Sequence, residues 1–258
     1  MTRYVAIGDS FTEGLGDPLP DGSMRGWADL VAAGLAAGEG QAVQYANLAV
    51  RGRLLEPIVT EQLTAALALS PPPTLLSLNG GGNDMLHAAG DMARLAALTE
   101  RAIRQCTDAG VRVLLLSGAD PSDRLPLGRV MRRRAAAFTD LVAGLTSSYD
   151  IVFVDAFRDV EIRRPGYWSP DRLHLNAAGH RRVAGLVLEA LGQPAAAHVI
   201  DPGPNESRSM LAEARYYREH VLPWLHRRVR GRSSGDNRTG KFLDWVTVDA
   251  ARATPQTT

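Results

Sequence analysis

The chain has 258 residues, and 29 Lys+Arg against 28 Asp+Glu leave a net charge of +1, which excludes a nucleic-acid binder that works by bulk charge. The length suits one large α/β domain, or one domain with an appendage. A single cysteine, Cys106, excludes an internal disulfide and reads as a small buried hydrophobe on a helix. No apolar run approaches the roughly 20 residues that span a bilayer. Met1-Thr2-Arg3 runs straight into an apolar stretch without an export signal. The expectation is a soluble, cytoplasmic protein.

Tyr4-Val5-Ala6-Ile7 reads as a buried strand. It discharges into Gly8-Asp9-Ser10-Phe11-Thr12-Glu13-Gly14, so a serine stands at the mouth of a strand between glycines that let the backbone turn. A helix after the turn leaves the serine N–H without a helical partner. A polar loop with Pro18 and Pro20 follows, then a helix over about Trp27 to Gly38. Val43 to Leu48 is a second strand, ending in Asn47-Leu48-Ala49-Val50-Arg51-Gly52, and a helix is expected over Leu54 to Leu69. Pro71-Pro72-Pro73 closes it ahead of strand three, Thr74 to Leu78. That strand opens into Asn79-Gly80-Gly81-Gly82-Asn83-Asp84. Next come a helix over Asp91 to Ala109 and an apolar strand over Val111 to Leu116. A helix over Gly128 to Ser147 carries the solvated run Arg132-Arg133-Arg134. Ile151 to Val154 is strand five, and a long loop holds Trp168-Ser169-Pro170-Asp171-Arg172-Leu173-His174-Leu175-Asn176. The last core helix runs from Ala177 to Leu191 and stops at Gly192-Gln193-Pro194.

Strands alternating with helices argue for a parallel sheet covered on both faces. Five strands suggest the order 2-1-3-4-5, and ligands of such sheets sit at the carboxyl ends of the strands. Ser10, Gly52 and Asn83 lie just past the ends of strands one, two and three. Asp171 and His174 form a closely spaced acid–histidine pair in a loop that can reach the same edge. An aspartate there can accept the Nδ1 proton and leave Nε2 facing the serine, which is a weak nucleophile until a base takes its proton. The Ser10 N–H, the Gly52 N–H and the Asn83 amide are then candidate donors to an oxyanion. Trp27, Trp168 and the loop Asp120 to Arg129 are placed by position at the pocket border. His87, His180, His198, His220 and His226 have no such acidic partner and read as surface or core, His180 as packing. No His/Cys/Asp cluster has metal-ligand spacing, so neither a metal nor a cofactor is expected. A competing reading takes the glycine turn as a phosphate cradle in a non-enzymatic, flavodoxin-like module.

Taken together, Gly8-Asp9-Ser10, Gly52 with its preceding Asn47, Gly81-Gly82-Asn83-Asp84 and Asp171-Arg172-Leu173-His174-Leu175-Asn176 resemble the SGNH (GDSL) hydrolase family, over residues 1–192. The resemblance implies a flavodoxin-like three-layer α/β/α fold with a five-stranded parallel sheet. It also implies Ser10 as nucleophile, His174 as base, Asp171 as its orienter, and an oxyanion hole of Ser10, Gly52 and Asn83. The implied reaction is hydrolysis of a small-molecule carboxylic ester, with transfer to another acceptor as an alternative. Acetyl or other small acyl esters, lipid-like esters and sugar esters all fall within that range.

Residues 193–258 lie past the resemblance. Ser207 to Val229 reads as an amphipathic helix kinked at Pro223, basic and aromatic at its end through Trp224, Arg227, Arg228, Arg230 and Arg232. A flexible loop from Arg232 to Arg238 and a polar tail are expected to follow. This extension is expected either to dock on the core or to serve as a lid, a protein contact or a weak membrane-surface contact.

Overall fold

The structure is a computed structural model, and it describes residues 1–85, 91–125, 128–195, 200–203 and 235–250. One six-stranded sheet has the order β5-β4-β3-β1-β2-β6. The strands are β1 (Arg3–Ile7), β2 (Val43–Asn47), β3 (Leu75–Leu78), β4 (Arg112–Leu116), β5 (Ile151–Val154) and β6 (Phe242–Val248). The first five pair in parallel in the expected order, with Tyr4 opposite both Tyr45 and Leu75. The helices are α1 (Ser10–Glu13), α2 (Trp27–Glu39), α3 (Leu55–Pro57), α4 (Leu63–Leu67), α5 (Gly82–Met85), α6 (Met92–Asp108), α7 (Gly128–Gly144) and α8 (Ala177–Ala190).

Side chains alternate across the sheet as period-two geometry requires. Tyr4 and Ala6 of β1, with Leu114 and Leu116 of β4, pack on one face with residues of α2 and α8. Val5, Ile7, Val113 and Leu115 pack on the other face with residues of α4, α6 and α7. Both faces are therefore buried, and β1, β3 and β4 are near-continuous apolar runs for that reason, with the buried Ser77 of β3 paired to the Tyr4 hydroxyl. The chain winds from β1 to β2 in one direction and from β3 to β5 in the other. The crevice between the carboxyl ends of β1 and β3 is thus the topological switch point.

Two sequence expectations change. The helix expected over Leu54 to Leu69 is interrupted by a π-helical turn, Ile58–Gln62, between α3 and α4. The sheet has six strands rather than five, because part of the stretch read as a polar tail forms β6 and pairs antiparallel with β2. Phe242-Leu243-Asp244-Trp245-Val246-Thr247-Val248 is rich in β-branched and aromatic residues, and β2 would otherwise be a bare edge. Phe242 meets Tyr45 edge-on with ring centroids 5.9 Å apart, and Lys241 pairs with Asp29 of α2 at 2.7 Å. The expected amphipathic helix over 207–229 lies outside the described residues. No helix among the described residues is long and apolar enough to cross a membrane.

Candidate active site

The turn after β1 is held from three sides. Gly8 donates its N–H to Gln62 Oε1 at 2.8 Å, and its carbonyl accepts from Gln62 Nε2 at 3.0 Å and Val50 N at 3.1 Å. The π-helical turn brings the buried Gln62 side chain onto this backbone, a role the sequence did not suggest. A Cβ at Gly8 would sit 2.5 Å from Thr12 Oγ1 and 2.7 Å from Asn79 O, so only glycine lets β1 lie this close to its neighbours. Asp9 caps α1 by accepting the Phe11 N–H at 3.1 Å, which puts Ser10 at the first helical position.

The loop before α8 closes as a hairpin, with Ser169 N donating to His174 O at 2.8 Å and an isolated bridge between Trp168 and Leu175. Arg172 takes the left-handed conformation at φ 61° to make its tight turn. Asp171 Oδ1 accepts three bonds, from Leu173 N (3.0 Å), His174 N (2.9 Å) and Ser169 Oγ (2.6 Å). That leaves Oδ2 for the His174 Nδ1–H, 2.6 Å away. On the other side of the ring, Nε2 accepts from Ser10 Oγ at 2.9 Å, across 164 positions of sequence. Gly16 seats the two loops together, since a Cβ there would lie 1.9 Å from Leu175 O. Burial by itself would raise the Asp171 carboxyl. The bond from the His174 ring, the charge of that ring, the backbone N–H and the Ser169 hydroxyl outweigh it and hold the carboxyl well below the usual range. Asp171 is thus an anion placed to steady a positive ring.

Asn83 lies on α5 at the mouth of the same crevice. Its Nδ2 donates to Arg53 O at 3.0 Å and to Asp9 Oδ2 at 3.1 Å. The residue beside the serine therefore orients the amide, a link no spacing argument exposed. Burial pushes the Asp9 carboxyl up to about 6, against the Phe11 N–H and the His174 ring, which lower it; Asp84 and Glu13 add to the rise. Gly52, at φ 75°, stands in the turn between Val50, tied to Gly8, and Arg53, tied to Asn83. Ser10, His174, Asp171 and Asn83 are thus brought to one crevice, and Gly52 sits in the loop that borders it.

A cavity of about 150 Å³ opens at Ser10, Asn83 and His174. It continues past Gly80 and Leu116 to Met131, Ala135 and Phe138 of α7. Trp168 lines it as expected, and of the described residues in the loop Asp120 to Arg129 only Asp120 and Pro121 do, since the rest turns away from the cavity into a 3-10 turn and the start of α7. Trp27 does not; as the first residue of α2 it is fully buried, because the helix turns its apolar face to the sheet. His180 is also fully buried, in keeping with a packing role. His87, His198, His220 and His226 lie outside the described residues. Among the described residues, no group of three or more His, Cys, Asp or Glu could hold a metal ion.

The model of the GDSL-like lipase/acylhydrolase family matches residues 6–182. Solved structures of similar fold include a catalytic mutant of an acetylxylan esterase from Geobacillus stearothermophilus (18% identity, TM-score 0.61), covering 74% of this chain and 94% of that one. A lipase/acylhydrolase from Enterococcus faecalis gives 20% identity and a TM-score of 0.58 over 76% of this chain and 99% of its own. The psychrotrophic esterase EstA from Pseudoalteromonas sp. gives 15% identity and 0.58 over 74% and 97%. No curated protein matches the chain.

Proposed function

The chain belongs to the GDSL-like lipase/acylhydrolase family and is a carboxylic ester hydrolase, and we propose that it works through a Ser10–His174–Asp171 triad and an acyl-enzyme. The observation that supports this most directly is the unbroken hydrogen-bond chain from the Ser10 hydroxyl through both nitrogens of His174 to the Asp171 carboxylate. Ser10 Oγ attacks the ester carbonyl while His174 Nε2 takes its proton. The C=O pair moves onto oxygen, and the resulting tetrahedral oxyanion is held by the Ser10 N–H, the Gly52 N–H and the Asn83 amide. Collapse expels the alcohol, protonated by His174. Water then attacks the acyl-enzyme by the same route and restores Ser10. Asp171 stays ionised throughout and balances the imidazolium. Asn83 keeps one amide proton on Arg53 O and turns the other from Asp9 to the oxyanion as charge develops.

The cavity of about 150 Å³ beside Ser10 supports an acyl group of modest size. Acetyl, short-chain and compact sugar or lipid-like esters fit that range, and a second acceptor in place of water would make the same site an acyltransferase. The carboxylates Asp9 and Asp84 beside the glycine turn disfavour the phosphate-cradle reading. Residues 1–192 form the catalytic unit in this reading and 193–258 an extension. A lone buried Cys106, its thiol pushed up to about 12 by burial, fits a reducing, cytoplasmic setting.

A fluorophosphonate should label Ser10. Ser10→Ala should abolish labelling and lower p-nitrophenyl acetate turnover by at least about 10⁴-fold. Wild-type turnover in that variant would overturn the assignment.

A further inference from the structure

The family match ends at residue 182, yet a segment far beyond it touches the loop that carries Gly52. Gly235 lies so close to that loop that a Cβ on it would sit 1.9 Å from Arg51 O, 3.2 Å from Arg51 C and 3.1 Å from Val50 Cγ1. Gly240 rests on the start of the same loop, where a Cβ would be 2.6 Å from Leu48 Cα and 2.8 Å from Asn47 O. Two residues later β6 begins, with Phe242 opposite Asn47. The extension therefore follows the loop from Arg51 back to the end of β2.

The peptide that Gly235 touches is the informative one. The Arg51 carbonyl and the Gly52 N–H belong to a single planar unit and point in opposite directions across it. Whatever presses on the Arg51 oxygen aims the Gly52 N–H. Arg51 is gripped from the other side by Glu13, which follows Ser10 on α1: the Arg51 N–H donates to Glu13 Oε2 at 2.6 Å, and the guanidinium pairs with the same carboxylate at 2.5 Å. Arg51 is thus held on its N–H and side chain by the helix of the serine, and on its carbonyl, which shares a peptide with the Gly52 N–H, by the C-terminal extension. Neither Gly235 nor Gly240 carries the side chain that would spoil this approach.

We propose that residues 235–248 are a positioning brace for the oxyanion hole, with Gly235 setting the direction of the Gly52 N–H. The extension is then a working part of the catalytic site rather than an appendage, and β6, with the Lys241–Asp29 pair, anchors it to the sheet. This inference rests on the proposed role of Gly52. A donor turned away from the developing charge costs up to the 10²–10³ of a donor removed, and a shift of about 1 Å can cost 10².

The test is Gly235→Ala in the full chain, assayed on p-nitrophenyl acetate. The brace predicts kcat lower by about 10–100-fold, with KM within about twofold. The pH inflection of kcat/KM should stay in place, because the triad is untouched. Combined with Asn83→Ala, the loss should be less than the product of the single losses, since both act on one oxyanion. A folded Gly235→Ala protein with wild-type kcat overturns the inference. So does a loss of activity that follows only the folded fraction, or one that multiplies fully with Asn83→Ala. Should Gly235→Ala fail to fold, Lys241→Gln loosens the same anchor without adding bulk. It should lower kcat several-fold at constant KM, and an unchanged kcat there overturns the brace. Failure of the underlying esterase reading is separate: Ser10→Ala would then retain activity whatever Gly235 does.

Discussion

Two imidazoles flank the start of α8 and are held at both ring nitrogens, yet they face different chemistry. His180 is fully buried. Its Nδ1 accepts from Trp27 N at 3.2 Å and its Nε2–H donates to Leu15 O at 3.0 Å. Burial drives its pKa down to about 4, which the Leu15 carbonyl and Asp17 only partly offset. His174 is part-exposed and faces a full carboxylate on one side and a hydroxyl on the other. Burial fixes the His180 ring as a neutral strut, with the Trp27 N–H occupying Nδ1. The His174 ring instead lies between a carboxylate at Nδ1 and a hydroxyl at Nε2. Burial and the identity of the partners, not the residue type, separate a packing histidine from a candidate base.

The comparison is broken most severely at Asp171. In Asp171→Asn the oxygen must remain at the Oδ1 position to accept its three bonds, so the NH₂ faces His174 Nδ1. The ring then carries its proton on Nε2, toward Ser10, in the wrong tautomer. Turnover of p-nitrophenyl acetate should fall by about 10⁴ with little change in KM. Asn83→Ala leaves the proposed triad in place and removes one proposed oxyanion donor. It should lower kcat by about 10²–10³, and an unchanged kcat would remove Asn83 from the oxyanion hole while the triad stands.

The smallest effect concerns His180 and appears in stability. Its folded pKa lies below the ordinary value of 6.5, so the unfolded chain takes up a proton that the folded chain refuses until about pH 4. Its contribution is therefore complete above 6.5 and is lost as pH falls through that window, by about 3 kcal/mol. Asp9, with its raised carboxyl, opposes this over part of the same range. Comparison of the wild type with His180→Asn isolates the histidine. Denaturant unfolding should show the stability gap between them narrowing by about 3 kcal/mol from pH 7.5 to pH 4. A constant gap would mean His180 is not a buried neutral strut.

The candidate catalytic segment was legible because its signals are local. Apolar strand runs, glycine turns at strand ends and an aspartate three residues before a histidine all lie within short windows. Gln62 was not legible, because its grip on Gly8 depends on a π-helical turn that no hydrophobic period marks. Trp27 was misplaced because an aromatic near the glycine turn can face either the pocket or the sheet, and helix rotation decides which. Phe242 to Val248 had strand composition, but it stands outside the strand–helix alternation used to count strands.

The sequence by itself determined the parallel α/β architecture and the residues presented at the carboxyl ends of its strands, while the order 2-1-3-4-5 that it only suggested was settled by the strand pairing. The architecture and those residues follow from hydrophobic period and from the backbone needs of turns. Only the tertiary structure decided which oxygen of Asp171 is left for His174, how Asp9 orients Asn83, and that a strand from the far end of the chain pairs with β2 beside the Gly52 loop. Each of those depends on groups meeting across many residues, with distances and directions fixed by the packing of whole elements rather than by any neighbour in the chain.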